Sequence, residues 1–221
     1  SGPVASTVTT KKAKIDWSTD RDSDSKVAYG TSPGTYLDSE PSNSDQVTDH
    51  TISLSNLTPG TTYYYKAKWT DEDGNTGASE EKSFTTDPAP TVTDPKLKRA
   101  GLTDVDLEFK LKGASKVKIY FGETANFGGI KELQTSTVES LYTASIDKLS
   151  DGKKYFYKIN TFDSEGSEYE GSILSFETMP RPKISTVLLQ EARGTAQTTM
   201  LVSWFTNTET SSIVTYFPEG N

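Results

Sequence analysis

The feature that most constrains this chain is a gapless internal repeat. Leu57 and Leu149, Gly60 and Gly152, Tyr63 and Tyr155, Tyr65 and Tyr157, Asp71 and Asp163, Gly74 and Gly166, and Phe84 and Phe176 are each separated by 92 residues. Gly30 and Gly122 keep the same spacing, so the register holds from the third predicted strand to the last. A period of that length means two copies of one domain, because solenoid repeats run to about 20 to 50 residues. A third copy opens without completing: Trp17 and Trp204, Val27 and Val214, and Tyr29 and Tyr216 all stand 187 apart. The expected domains are therefore 1–87, 88–179 and 180–221, the last holding only first strands read in PKISTV, MLVSWFTN and SSIVTYF. Three strands hold too little core to fold alone, so this segment is expected to be completed by further chain or by a neighbouring chain.

Within each copy the hydrophobic pattern has period two. Pro3 to Thr10 reads as an edge strand, and Ala13, Ile15 and Trp17 alternate with polar neighbours. An acidic turn is expected at Asp20 to Asp24, then Val27 and Tyr29 in a third strand, then a polar stretch to Asp49. Tyr63, Tyr65, Ala67 and Trp69 share one strand face, with Tyr64, Lys66 and Lys68 on the other. Short strands at about 8 to 12 residue spacing with turn signals between them predict an all-β sandwich. The joints, Asp87 to Pro90 and Met179 to Pro182, each carry a P-x-P, which fixes φ and makes a short, semi-rigid spacer.

These residues resemble the fibronectin type III family. The resemblance lies in a Trp on the second strand (Trp17, Trp204, with Phe109 in the middle copy) and an aromatic on the third (Tyr29, Tyr216, Phe121). It also lies in the corner L-x-P-x-T-x-Y, here Leu57, Pro59, Thr61 and Tyr63. The middle copy keeps only Leu149 and Tyr155 of that corner. What the resemblance implies is a tandem of immunoglobulin-like fibronectin type III β-sandwiches. Tyr63 and Tyr155 are then tyrosine-corner residues, ring in the core and hydroxyl bonded to backbone a few residues upstream. The sequences around Trp17 and Trp204 are similar to the version common on microbial surface proteins.

Few residues suggest chemistry. The chain has one histidine and no cysteine, so no His/Cys metal cluster can be assembled from it. His50 reads as a solvated residue at a strand entry. Asp71, Asp73 and Asn75, with Gly74, resemble part of a calcium loop, but Glu80 and Glu81 fall out of register for the closing ligand, and a hairpin turn is the preferred reading. Asn56-Leu57-Thr58 is a glycosylation sequon. Tyr64, Trp69 and Phe156 form a candidate contact surface for protein or polysaccharide, set against simple packing on neighbouring lysine stems. Trp69 is the odd one, since its counterpart is Thr161.

Composition narrows the rest. Lys and Arg number 23 against 31 Asp and Glu, a net charge of −8, which removes the electrostatic term that nucleic-acid binding requires. No apolar run of membrane-spanning length is present and nothing reads as a signal peptide. No R-G-D tripeptide occurs, and no cofactor is implied. The expected function is a non-catalytic extracellular spacer or adhesive array of a microbial surface or secreted protein. Two alternatives stay open: accessory modules of a larger secreted enzyme, such as a glycoside hydrolase or phosphatase, and a subunit of an extracellular fibre.

Overall fold

A computed structural model describes residues 1–37, 40–191 and 200–217. The first sandwich contains β1 (Val4–Ser6), β2 (Ala13–Gly30), β3 (Ser42–Leu54), β4 (Thr62–Thr70), β5 (Thr76–Ala78) and β6 (Lys82–Thr85). The second contains β7 (Thr91–Ala100), β8 (Val105–Lys112), β9 (Lys116–Gly122), β10 (Gly129–Gln134), β11 (Ser140–Ile146), β12 (Lys154–Phe162), β13 (Glu168–Tyr169) and β14 (Leu174–Glu177). A hairpin of β15 (Ile184–Glu191) and β16 (Met200–Thr206) follows.

In the second sandwich the two layers are separate sheets, ordered β11-β8-β7 and β10-β9-β12, with β13 and β14 both on the free side of β12. In the first, β2 serves both layers. Its opening half pairs with β1, its closing half, Lys26 to Gly30, pairs with β4, and β3 follows it from Ala13 to Lys26 with breaks in register. The register shifts between Ser18 and Ser23 mark where it bends from one layer to the other, as β-bulges do. Two sequence expectations change accordingly. Asp20 to Asp24 is part of this bent strand rather than a turn, and the polar stretch before Asp49 is strand from Ser42 onward. Neither stretch alternates in hydrophobicity: Ser42 to Asp49 is mostly exposed, and the buried member of Asp20 to Asp24, Ser23, is polar, so the register comes from backbone pairing.

The two cores match position for position. Ala13, Ile15, Trp17, Val27, Ile52, Leu54, Leu57, Tyr63, Tyr65, Ala67 and Phe84 form the first. Each has a counterpart 92 residues later in the second, from Val105 through Phe176. The second core is larger, with Leu111, Ala114 and Val117 added. The first has polar residues at or beside those places, and they cluster round His50.

The third segment departs from expectation. β15 and β16 pair, but residues 211–217, expected as a third strand, form none. In the first sandwich the matching stretch pairs with β4, and no counterpart of β4 exists among the described residues after Thr206. Val187, Leu189, Met200 and Phe205 are accordingly all more than half exposed.

Candidate functional site

Both corners have the same geometry. The Tyr63 hydroxyl accepts the N–H of Thr58 at 2.9 Å, and that of Tyr155 accepts the N–H of Ser150 at 2.9 Å. Leu57 and Leu149 are buried beneath them. A threonine that recurs at the same 92-residue spacing, Thr86 and Thr178, completes the arrangement. The Thr86 hydroxyl accepts from the N–H of Thr61 at 2.9 Å and donates to the carbonyl of Thr58 at 2.7 Å. Thr178 repeats this with Lys153 and Ser150. These are fold-determining contacts that satisfy buried backbone groups.

The acidic turn of the first sandwich is closed on itself. The Asp71 carboxylate accepts the N–H groups of Asp73 at 3.1 Å and Asn75 at 2.8 Å, and the Asn75 side-chain amide at 2.9 Å. The Asn75 bonds hold the Asp71 carboxyl below the usual carboxylate range, with nearby Arg21 contributing. The Arg21 guanidinium lies 3.2 Å from Asp73 and 3.9 Å from Asp71. A cation on Asp71, Asp73 and Asn75 would have to displace these N–H donors. Gly74 has φ +84°, as the turn requires.

In the second sandwich the equivalent turn faces the first sandwich and forms the joint. The Thr10 hydroxyl donates to the Asp163 carboxylate, and both residues are buried. Lys12 lies 3.2 Å from Glu165, and the Lys11 ammonium sits 4.6 Å above the Tyr169 ring. Burial alone would raise Asp163, but the Thr10 hydroxyl and the N–H groups of Ser167 and Glu165 outweigh it and hold the carboxyl low. Behind the joint, the Asp87 N–H donates to the Thr9 carbonyl at 3.1 Å. Arg21 thus does within its own sandwich what Lys12 does across the joint. Its counterpart, Gly113, has φ +75° and lies against Pro90.

The predicted contact residues separate. Tyr64 and Phe156 are half-buried on the outer faces of β4 and β12, with the Lys154 ammonium 5.5 Å from the Phe156 ring. Trp69 lies elsewhere, over Gly77, its cross-strand partner. A Cβ at Gly77 would stand 2.4 Å from the indole. The counterparts Thr161 and Tyr169 are paired in the same way. Large-over-none in one copy becomes small-over-large in the other, which resolves the mismatch seen in sequence.

His50 is not solvated, contrary to expectation. It is 2% exposed and stacks on Trp17 with ring centroids 4.8 Å apart and planes at 10°. Its Nε2 is 2.8 Å from the Thr19 hydroxyl and its Nδ1 2.8 Å from the Ser25 hydroxyl. The Thr19 hydroxyl donates to the Arg21 carbonyl, so it accepts from Nε2–H, and Nδ1 accepts from Ser25. Burial lowers the His50 pKa, with the charges of Asp49 and Asp24 opposing. The second sandwich stacks Phe109 on Tyr142 here, with Leu111 and Val117 in place of Thr19 and Ser25.

No group of three or more potential metal ligands occurs among the described residues, and no helix there is long and apolar enough to cross a membrane. Paired all-β sandwiches with recurring tyrosine corners define a tandem of fibronectin type III-like modules. Residues 3–86, less than half of the chain, match the family model described as the purple acid phosphatase N-terminal domain. Among solved structures, the FN1–FN3 domains of chicken CNTN1 are 14% identical, with 81% of this chain and 66% of that one covered and a TM-score of 0.36. A segment of two fibronectin type III domains from chicken tenascin is 13% identical, with 80% and 100% covered and a TM-score of 0.38. The chain spans just under two thirds of the first of these. No curated protein matches it.

Proposed function

We propose that the chain is a non-catalytic spacer in an extracellular or cell-surface protein, holding its modules in a set orientation. The observation that carries this reading is the joint: a buried hydroxyl–carboxylate bond, a lysine on an aromatic ring and a backbone bond from the linker all cross or brace it. A flexible tether needs none of these. On this reading the β15–β16 hairpin belongs to a third sandwich completed by further polypeptide or by a neighbouring chain. Small-angle scattering on the full chain tests the proposal. A narrow distribution of inter-module distances that broadens in Asp163→Ala supports it, and a freely jointed wild type overturns it.

A second reading is favoured by the match over residues 3–86: the array serves as accessory modules beside a phosphatase catalytic domain. Hydrolysis of p-nitrophenyl phosphate by the natural-length protein, with these 221 residues alone inert, is the expected result. An inert natural-length protein removes this reading.

A further inference from the structure

A strand at the margin of a sheet carries a row of unpaired N–H and C=O groups, and proteins guard such edges with charge, proline, bulges or brevity. The two sandwiches follow this rule at every described edge but one. β1, β5, β6, β13 and β14 are four residues or fewer. β7 has Pro95 and two breaks in register, β10 has Lys131 and Glu132, and β3 has Asp45, Asp49 and breaks of its own. β11 is the exception. It is seven residues long, pairs with β8 on one side only, and reads SLYTASI, without charge, proline or glycine. Its pairs with β8 run in unbroken register from Ser140 to Ile146, so no bulge turns the outer edge away.

The first copy shows what is missing. Asp49 stands 92 positions before Leu141, so a carboxylate occupies the equivalent edge there and a leucine here. Leu141 is 60% exposed. With Thr143 and Ser145 it faces outward, while Ala144 and Ile146 are buried, so the free edge presents only uncharged side chains on its two faces.

The pattern also selects the partner. The clefts of the second sandwich include no residue of β11, so an added strand of unrelated sequence finds no side-chain pocket there to specify it. A second copy of β11 fits without one. Run antiparallel about a two-fold axis at Thr143, the strand sets Thr143 against Thr143, Leu141 against Ser145, Tyr142 against Ala144 and Ser140 against Ile146. Paired threonines are favourable across strands, the large tyrosine meets a small alanine, and no charge faces another within the strand. We propose that the β11 edge is a self-association surface, joining the three-stranded β11-β8-β7 sheets of two copies into one continuous antiparallel sheet. Just outside the strand the same axis sets Glu139 against Asp147, and each copy has a net charge of −8, so the pairing strengthens as salt screens these charges. One strand pair is small beside the roughly 1,200 Å² of a stable interface, and the dimer is accordingly weak and concentration-dependent. This goes beyond the spacer reading and does not depend on it.

Sedimentation equilibrium of the full chain over a concentration series, at low and high salt, tests the proposal. The weight-average mass is expected to climb from that of the monomer towards twice that value, and to climb further at high salt. Thr143→Lys and Thr143→Glu each place like charges on the axis and should weaken association about tenfold or more, and an equimolar mixture of the two should restore it. Leu141→Asp, which installs the residue of the first copy, should abolish it. Thr143 and Leu141 stand opposite Glu108 and Lys110 of β8, so Thr143→Lys and Leu141→Asp each gain an opposite charge within their own chain and should melt as the wild type does. A monomer at every concentration overturns the proposal. So does an association that these variants leave unaltered, as pairing through the exposed β15–β16 hairpin would give, or a mixture that associates no better than its components.

Discussion

At the residue scale, Tyr155 and His50 show opposite relations between sequence and structure. The Tyr155 hydroxyl bonds a backbone N–H five positions upstream, so the contact is local and the motif that encodes it is readable. Tyr155→Phe leaves that N–H without a partner, and we expect a loss of about 1 to 3 kcal/mol in a denaturant melt. His50 gave no such signal, because Thr19 and Ser25 reach it from the neighbouring strand across a register shift that no local pattern announces. Its consequence is a pH dependence. The folded-state pKa lies below the unperturbed 6.5, so the unfolded chain takes up a proton that the folded one refuses. The stabilisation is complete above pH 6.5 and is lost as pH falls through the lower folded value. Thermal melts of the wild type should show the first sandwich weakening over that range, and His50→Tyr, which installs the residue of the second copy, should flatten the trend.

At the element scale, the strands of both cores were legible because alternation and the 92-residue period agree. The bend of β2 and the polar start of β3 were not, since their pairing uses backbone groups that every residue carries. The joint was legible only as two prolines and an acidic turn. Nothing local says that Thr10 meets Asp163, 153 positions away. Magnitude separates its members. Lys12 and Glu165 form a solvent-exposed pair, expected to contribute under about 1 kcal/mol. The buried Thr10–Asp163 bond is the sensitive one. Lys12→Ala should therefore leave the scattering profile unchanged while Asp163→Ala broadens it. Because the Asp163 pKa is lowered from 3.8, its support for the joint is full above that value and fades as pH drops through the lower folded one. Scattering across an acid titration should follow that course.

At the scale of the whole molecule, stability resides in two independent cores and not in the hairpin that follows them. Truncation after Met179 is expected to leave both thermal transitions where they stand in the full chain, as seen by calorimetry. A shift of either transition would show that β15 and β16 contribute packing that their exposure denies. Repetition made the fold readable and hid the candidate site, since what recurs is architecture. Trp69, Glu80 and Lys82 do not recur, standing where the second copy has Thr161, Ser172 and Leu174. Arg21 and Gly113 carry this furthest. One seals the acidic turn of its own module; the other supplies no charge, and Lys12 of the neighbouring module pairs with the turn instead. Exchanging the two modules would leave Asp163 without its hydroxyl donor and set Asp104, where Lys12 had been, towards a turn already closed by arginine. The tandem therefore has a direction, and its two modules, alike in fold, are not interchangeable bricks.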